Sequence, residues 1–300
     1  MRKGKSTITL ANVTKRFGDF EAVSDVTLAV EPGQVVGFVG PNGAGKTTTI
    51  SMMMGFLKPS KGTVTVLGTN IEPQTSHSVH GSIGYVAGDM VLPGALTGKQ
   101  FLSFCAAKNG RDEKRFDSLT KELQPVLHKP LRQLSRGNKQ KIALIAALQH
   151  APTVLILDEP TSGLDPLMQD VFLDTVKDES KRGTTVFMSS HILSEVSSVC
   201  DRIVFMRAGK FILDKPVREL TSQLGKHIVI KGHDVGKLAK FLPDSAKLLY
   251  KNANEIRLSI PSANIKTFMR WIVTKEFDDI LIEDRDLDDV FHELYGGKTK

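Results

Sequence analysis

The sequence predicts an α/β protein in which helices pack on a mostly parallel sheet, followed by a small α+β unit. A buried strand at 34–39 runs into a glycine-rich loop and a helix. Short apolar strands alternate with helical segments between 154 and 207, which is typical of a doubly wound sheet. Beyond 227 the order strand-helix-strand-strand-helix-strand matches a ferredoxin-like unit. We therefore expect two domains, 1–220 and 221–300.

Composition supports a packed globular chain. Of 300 residues, 40% are hydrophobic and 24% are charged. The net charge of +7 suits a polyanionic ligand such as ATP, a nucleic acid or an anionic lipid, but no long basic tract is present. Cys105 and Cys200 lie far apart and outside any His/Cys cluster, so neither a zinc site nor a disulfide framework is expected. No apolar run approaches the roughly 18 residues of a membrane span, which predicts a cytoplasmic protein.

The first 150 residues show strand periodicity at the start and helical periodicity later. Apolar and polar side chains alternate over 6–30, as they do in half-buried strands. The Lys58–Gly62 segment combines proline and glycine and ends a helix. The predicted elements are strands within 6–30 and at 34–39 and 63–67, a helix at 47–56, and a helical region at 95–150 with breaks at Asn109–Gly110 and Pro130.

The remaining elements follow from the same periodicities. The apolar, β-rich run Val154–Leu157 predicts a central parallel strand. Further along, the predicted elements are helices at 167–180, 193–199, 235–242, 263–273 and 287–295, and strands at 184–189, 203–207, 227–230, 246–250, 255–260 and 279–282.

A phosphate-binding loop lies between the strand at 34–39 and the helix that follows. Residues 40–47, GPNGAGKT, fit G-x-x-x-x-G-K-[ST]. Glycines let backbone N–H groups converge on phosphate oxygens, and the helix N-terminus adds positive potential. Lys46 is expected to reach the β- and γ-phosphates and Thr47 to ligate Mg²⁺. An ordinary glycine-rich turn explains this context poorly. The predicted ATP-binding residues are Gly40, Pro41, Asn42, Gly43, Ala44, Gly45, Lys46, Thr47 and Thr48.

Two acids end the apolar strand at 154–157. Ligands of parallel sheets sit at the carboxyl ends of the strands, so Asp158 and Glu159 should face the phosphate loop. Asp158 can hold Mg²⁺ and Glu159 can act as a general base on the attacking water. Alone, Asp-Glu-Pro would be only a strand exit. Beside a phosphate loop it supplies the acid and the base that phosphoryl transfer needs.

Four motifs in one order resemble those of the ATP-binding-cassette (ABC) transporter ATPases. Leu134–Gln140, LSRGNKQ, resembles the LSGGQ signature and its basic continuation. Thr161–Asp165 resembles the D-loop, and His191 lies where the switch histidine belongs. The resemblance implies a P-loop NTPase core over about 6–215 with an N-terminal antiparallel β subdomain and a helical subdomain.

The resemblance also implies a two-chain mechanism. Ser135 and Gly137 would bind the γ-phosphate held by the other subunit, so that two chains close head to tail around two ATP molecules. Asp165 would carry communication across this homodimer, and His191 would contact the γ-phosphate. The alternatives are local: Ser135 and Asp165 as N-caps, and His191 as a loop histidine.

An aromatic side chain near the N-terminus is a candidate for adenine stacking. Phe17, in Lys15–Gly18, resembles the aromatic residue of the family that stacks on the base. A flat ring is sufficient for this contact. Phe20 competes for the role, and a structural Phe is the other alternative.

Three positions depart from the family pattern. Arg136 replaces the first glycine of the signature, and Asn138 replaces the usual glutamine. Gly88 aligns with a glutamine that helps hold Mg²⁺ and water, and its neighbour Asp89 is the candidate substitute. These departures bear on the rate of turnover and on coupling.

The C-terminal segment 287–296 resembles the tail of ATPases in the ABC-2 class, many of them exporters; an amphipathic closing helix is compatible with it. Such chains pair with a separate multi-span permease, so the resemblance implies a protein peripheral on the inner face of the cell membrane. Phe101 and Phe104, within 90–130, are candidates for the permease contact, with a core role as the alternative.

Two other functions are compatible with a single cassette. One is a soluble ABC ATPase acting on nucleic acid or ribosomes, which the pI of about 9.3 favours weakly. Such proteins usually carry two cassettes or a long coiled coil, and no sustained heptads occur here, so nucleic acid is unlikely to be the partner. The other is a nucleotide-dependent regulator. The sequence does not indicate a transported substrate.

Overall fold

A computed structural model describes residues 6–223 and 225–284. The chain divides into two compact units, Met1–Asp214 and Lys215–Lys300. The division falls slightly before the boundary expected near residue 220, because the helix Val217–Gln223 belongs to the second unit.

The first unit contains two sheets and a set of helices. Its elements in chain order are β1 (Ile8–Phe17), β2 (Phe20–Val30), β3 (Val35–Val39), α1 (Lys46–Met53), β4 (Lys61–Val66), β5 (Thr69–Asn70), α2 (His77–His80), β6 (Ile83–Val86), α3 (Gly98–Asn109), α4 (Glu113–Leu123), a 3₁₀ turn (Leu131–Gln133), α5 (Arg136–Leu148), β7 (Val154–Asp158), α6 (Pro166–Lys181), β8 (Thr185–Ser190), α7 (Leu193–Val199), β9 (Arg202–Arg207) and β10 (Lys210–Pro216), which crosses the unit boundary.

The N-terminal strands form an antiparallel sheet in the order β2-β1-β4-β5. Their alternation places one apolar face in the core, where Ile8, Leu10 and Val64 are fully buried. The predicted N-terminal antiparallel β subdomain is confirmed. Because β1 pairs with both β2 and β4, it is an inner strand of this sheet.

The second sheet has the order β10-β9-β3-β8-β7-β6. Its core pairs β9/β3, β3/β8, β8/β7 and β7/β6 are parallel. All residues of β3, β7 and β8 are buried, as expected for strands covered on both faces. The carboxyl ends of β3, β7 and β8 therefore lie side by side. Strand β10 was absent from the sequence expectation, because its apolar stretch is short and flanked by lysines.

Helices α3, α4 and α5 form the helical region that the sequence predicted. Thr97 caps α3 in a capping box with Gln100, and Gly110 ends the helix at a φ of 83°. Helix α1 is shorter than predicted, because Gly55 adopts a φ of 74° soon after Met53. In the parts of the chain that the structure describes, no helix combines the length and the apolar character needed to cross a membrane.

A buried ion pair joins the helical region to the parallel sheet's outer helix. Arg115 of α4 pairs with Glu179 of α6, and both side chains are about 95% buried, with exposures of 5% and 4%. Arg115 also donates from Nε to the Leu148 carbonyl oxygen at 2.7 Å. Burial is the main factor that lowers the pKa of Arg115, to about 10. The pair thus links α4 to α6.

Removing one charge of this pair should be costly. We expect Glu179→Gln to lower the free energy of unfolding by about 3 kcal/mol, because Arg115 keeps a buried, uncompensated charge. The measurement is urea-induced unfolding followed by circular dichroism. Asp178→Asn, which removes an exposed partner of Lys181 from the same helix, is the control and should change stability little. Equal stability of the two variants would contradict a structural role for the pair.

The second unit is a four-stranded antiparallel sheet with one covered face. Its elements are α8 (Val217–Gln223), β11 (Lys226–Lys231), a 3₁₀ helix (Val235–Lys240), β12 (Lys247–Lys251), β13 (Glu255–Ile260), a 3₁₀ turn (Ser262–Asn264), α9 (Ile265–Ile272) and β14 (Asp279–Asp284). The sheet order β12-β13-β11-β14 is that of a ferredoxin-like unit, as predicted. Phe268 and Ile272 of α9 are fully buried against the isoleucines of β11 and β13.

Two helices predicted for this unit are not among the α-helices that the structure describes. The predicted α-helix at 235–242 is wrong: the segment is a 3₁₀ helix that ends at Lys240. Gly236 donates its N–H to the Ala253 carbonyl oxygen, and a Cβ there would lie 2.1 Å from the Asn252 carbonyl oxygen. This close approach leaves no room for a side chain at residue 236. The predicted helix at 287–295 and the resemblance over 287–296 lie outside the described residues.

Candidate nucleotide-binding site

The phosphate loop joins β3 to α1 at the edge of the parallel sheet. Gly43 and Gly45 adopt positive φ values of 78° and 110°. A Cβ at Gly45 would lie 2.5 Å from the Ala22 carbonyl oxygen, and one at Gly40 would lie 2.3 Å from the Met206 carbonyl oxygen. Glycine is therefore required here both for backbone conformation and for close packing.

Lys46 is buried in this loop and already has partners. Its side chain is 6% exposed. The ammonium group donates to the Gly40 carbonyl oxygen at 2.6 Å and lies 3.4 Å from Oε1 of Glu159. The loop thus holds a positive charge at the N-terminus of α1, where N–H groups and the helix dipole also favour an anion.

The two acids lie at the carboxyl end of β7, where Asp158 is the last residue of the strand and Glu159 follows it. Asp158 is 2% exposed, and its Oδ1 accepts a hydrogen bond from the Ser189 hydroxyl at 2.6 Å. Glu159 adopts a left-handed φ of 48°, which turns the chain sharply out of the strand. Burial and the Asp158 carboxylate together raise the pKa of Tyr85, on the next strand, to about 12.

His191 lies on the other side of Glu159 in the cleft. It follows β8, and its Nδ1 lies 2.5 Å from Oε2 of Glu159. The same carboxylate therefore contacts Lys46 through one oxygen and His191 through the other. A histidine nitrogen and an ammonium group thus converge on one carboxylate, an arrangement of the kind found in candidate active sites.

These groups line one cleft of about 720 Å³. Its wall combines residues 41–48 of the phosphate loop and the start of α1 with both acids and the switch-position histidine, whereas Gly40 lies outside the described lining. The lining residues are Phe20, Ala22, Pro41, Asn42, Gly43, Ala44, Gly45, Lys46, Thr47, Thr48, Tyr85, Ala87, Gly88, Asp89, Arg136, Asp158, Glu159, Ser162 and His191.

The aromatic candidate for the base is placed differently from the expectation. Of the two N-terminal phenylalanines, Phe20 lines the cleft and Phe17 is outside its described lining. The Phe17 ring is 49% exposed and lies 5.1 Å from Nζ of Lys15. In this structure the ring nearest the phosphate loop is therefore Phe20, the competitor, and stacking by either residue stays a prediction.

The signature segment begins α5. Ser135 is its N-cap and accepts from the Asn138 N–H at 3.3 Å. Asn138 in turn accepts from the Val126 N–H at 3.1 Å, so this replacement of glutamine fastens a neighbouring loop. Ser135 and Gly137 lie outside the described lining of the cleft in their own chain. That placement is compatible with a role toward a second chain's nucleotide, which stays a prediction.

The D-loop lies against the signature segment. Arg136 extends over Gly163 and donates from Nη2 to the Ser162 hydroxyl at 2.9 Å. The arginine that replaces the first signature glycine is thus bound to the D-loop of the same chain and reaches the cleft wall. Asp165 caps α6 by accepting from the Met168 N–H at 3.0 Å. Its N-cap geometry is present, and its role in communication is untested.

The position aligned with the missing glutamine faces the acids. A Cβ built on Gly88 would lie 3.2 Å from the Asp158 carbonyl oxygen and 3.7 Å from Asp158 Cγ. A side chain at residue 88 would therefore adjoin the carboxylates, and glycine leaves that space unfilled. Asp89 lies in the same cleft wall with an exposed side chain.

The structure adds residues that sequence reasoning missed. Ser189 links the two acids, Tyr85 covers them, and Gln140 donates to the Pro160 carbonyl oxygen at 2.6 Å. The polar pair Ser189–Ser190 at the end of an otherwise apolar strand was the available signal. Tyr85 carried no comparable signal, because strand tyrosines are common.

The fold and the cleft define a nucleotide-binding ATPase cassette. The family model described as "ABC transporter" matches residues 23–162. The chain is 32% identical over 293 residues to the ABC transporter ATP-binding protein YhcH of Bacillus subtilis, covering 93% of this chain and 96% of that protein. The chain belongs to the ABC transporter ATP-binding protein family and carries a single cassette.

A second relative and a solved structure agree with this assignment. The bacitracin transport ATP-binding protein BcrA of Enterococcus faecalis is 32% identical over 307 residues, covering 97% of this chain and 96% of that protein. The structure described as the dimeric form of MJ0796, a bacterial ABC transporter cassette, superposes with a TM-score of 0.64 at 24% identity, covering 70% of this chain and 99% of that chain. The likeness to the MJ0796 structure concerns the fold alone.

Proposed function

We propose that this chain binds and hydrolyses ATP and drives a separate membrane permease. The observation that carries the proposal is the convergence of Lys46, Asp158, Glu159 and His191 on one cleft, next to a phosphate loop. ABC cassettes as a family bind and hydrolyse ATP, and their usual role is to energise a permease. Membership in this family and the residues of the cleft support both properties for this chain.

The cleft residues divide the chemistry between them. Lys46 would release Glu159 and bind the β- and γ-phosphates, because both groups compete for its single charge. Glu159 would then accept a proton from the attacking water, and His191 would contact the γ-phosphate. The loop N–H groups would stabilise charge on the phosphates. Glu159 would thus exchange its contacts with Lys46 and His191 for a contact with the attacking water.

A magnesium ion fits the acids of the cleft. Asp158 is almost fully buried, its Oδ1 accepts a hydrogen bond from Ser189, and the residue lines the cleft. Thr47 and Asp89 supply further oxygens on the cleft wall. Oxygen ligands of this kind suit Mg²⁺, which would neutralise phosphate charge when bound.

Turnover would take place in a head-to-tail homodimer. The signature residues Ser135 and Gly137 lie outside their own cleft, at the start of a helix whose N–H groups can receive an anion. In a two-fold dimer each signature would cover the nucleotide of its partner. A related cassette, MJ0796, is described as dimeric.

The permease contact is assigned to an apolar groove beside the cleft. The groove has a volume of about 350 Å³. Tyr85 and Ala87 line both the groove and the nucleotide cleft, so an occupant would touch the strand that carries the acid-facing tyrosine. Phe101 is half-buried in the wall, and Phe104 is 66% exposed. With the permease bound in this groove, the ATPase would lie on the inner face of the cell membrane.

A charge in this groove should separate permease binding from ATP binding. We expect Phe104→Glu to lose retention on membranes that contain the permease while keeping its affinity for ATP. Phe241→Glu is the control, because Phe241 is also 66% exposed but lies in the second unit. The measurement is co-sedimentation with permease-containing and permease-free membranes. Equal retention of both variants would contradict the groove assignment.

The second candidate function is ATP-dependent action on nucleic acid. Its one supporting observation is the net charge of +7. Binding to single- or double-stranded nucleic acid with a steep salt dependence, together with no retention on permease-containing membranes, would favour it over the proposal.

A further inference from the structure

A buried serine hydroxyl connects the two acids of the cleft. Ser189, at the end of β8, is completely buried. Its hydroxyl donates to Oδ1 of Asp158 at 2.6 Å and accepts from the backbone N–H of Glu159 at 2.9 Å. Ser189 and Asp158 are register partners in the parallel sheet, which places both side chains on one face.

The N–H that Ser189 receives belongs to a strained residue. Glu159 has a φ of 48°, a conformation that non-glycine residues adopt rarely and only when their surroundings impose it. Its side chain contacts Lys46 at 3.4 Å and His191 at 2.5 Å. A small rotation at this residue would move the carboxylate away from both groups. The Ser189 hydroxyl therefore holds the Glu159 backbone at the residue whose carboxylate lies between Lys46 and His191.

We propose that Ser189 is a positioning residue that sets the relative placement of the two carboxylates, and so controls the rate of hydrolysis rather than the binding of ATP. This inference rests on the proposed function. The hydroxyl holds Oδ1 of Asp158 and anchors the backbone N–H of Glu159, the proposed base. Loss of partners that orient ligand or catalytic side chains typically costs about 10- to 100-fold in activity.

The adjacent serine does something different. Ser190 turns to the other side of the strand, where its hydroxyl donates to Oε2 of Glu195 at 2.7 Å and accepts from the Ile192 N–H at 2.9 Å. These bonds fasten the start of α7 and leave the acids untouched. The end of β8 thus carries two serine hydroxyls. Of these two, the Ser189 hydroxyl bonds to Asp158 and Glu159.

Isosteric substitutions separate the hydroxyl from packing. Threonine and valine have nearly the same shape, so Ser189→Thr and Ser189→Val share any packing defect and differ in the hydroxyl. We expect Ser189→Val and Ser189→Ala to lower kcat at least about tenfold relative to Ser189→Thr and wild type, with KM for ATP within about twofold. Ser180→Ala is the control, since it removes a 3.0 Å bond to the Gly33 carbonyl oxygen far from the acids.

A second readout does not depend on turnover. If hydrolysis alone is slowed, Ser189→Val should still bind ATP without Mg²⁺ as wild type does and should retain an ATP-induced dimer for longer in light scattering. Wild-type kcat in the Val variant, or equal losses in Thr and Val, would overturn the assignment. Absence of turnover in wild type would instead overturn the proposed function.

Discussion

Lys46→Ala should weaken ATP binding about a hundredfold, because a charge-assisted hydrogen bond to phosphate contributes up to about 3 kcal/mol. The side chain is buried at the base of the loop and has no substitute among the described cleft residues, where the other basic groups are Arg136 and His191. Isothermal titration with ATP measures the effect.

The control for this variant is Lys99→Ala, which removes an exposed lysine of α3. It should bind ATP as wild type does. An affinity of Lys46→Ala for ATP within about threefold of wild type would mean that the loop is not the phosphate site. Loss of a contact with bound ATP must lower the affinity for ATP.

Glu159→Gln should lower kcat by about 10²- to 10⁴-fold, the range that a positioned general base contributes. ATP affinity should be kept or increased, because the wild-type carboxylate contacts Lys46 and His191 and repels phosphate. Phosphate release under saturating ATP measures kcat. Glu122→Gln, which changes an exposed acid of α4, should hydrolyse normally. Full activity of Glu159→Gln would exclude it as the base.

The phosphate loop and the acids were predictable because each is a contiguous sequence signal. A loop of glycines needs particular φ values, and those are local properties of Gly43 and Gly45. Asp158 and Glu159 come at the end of an apolar strand. This position predicts that both acids face the loop, because the carboxyl ends of parallel strands lie at one edge of the sheet. The parallel sheet itself followed from alternation of strand and helix.

Contacts between distant segments were not predictable in the same way. Ser189 meets Asp158 only because β8 pairs with β7 in one particular register. Arg136 reaches Ser162 because the D-loop folds back over the start of α5. A single sequence contains no signal for either register or fold-back.

Aromatic placement shows the same limit. Phe17 and Phe20 flank the tight turn between β1 and β2, and they face each other as register partners. Only the fold decides which ring approaches the phosphate loop, and Phe20 does so here. The helix expected at 235–242 failed for a related reason, since the contact of Gly236 with Asn252 comes from tertiary packing.

The residues that depart from the family motif have defined surroundings in this structure. Arg136 is bound to Ser162 and is therefore held against the D-loop rather than pointing freely into solvent. Asn138 uses its amide to fasten Val126 and Ser135. Gly88 leaves space beside Asp158, in a cleft that also contains Asp89. The signature is thus adapted to contacts within its own chain.

The most direct test of the account is the mass of Glu159→Gln in solution with ATP and Mg²⁺, measured by size-exclusion chromatography with light scattering. The account predicts a shift from the 32.9 kDa monomer to twice that mass on adding ATP. The shift should be lost when Lys46→Ala is added to the same chain. A monomer that binds ATP yet never dimerises, alone or with the permease present, would contradict closure of two chains around ATP as the source of work.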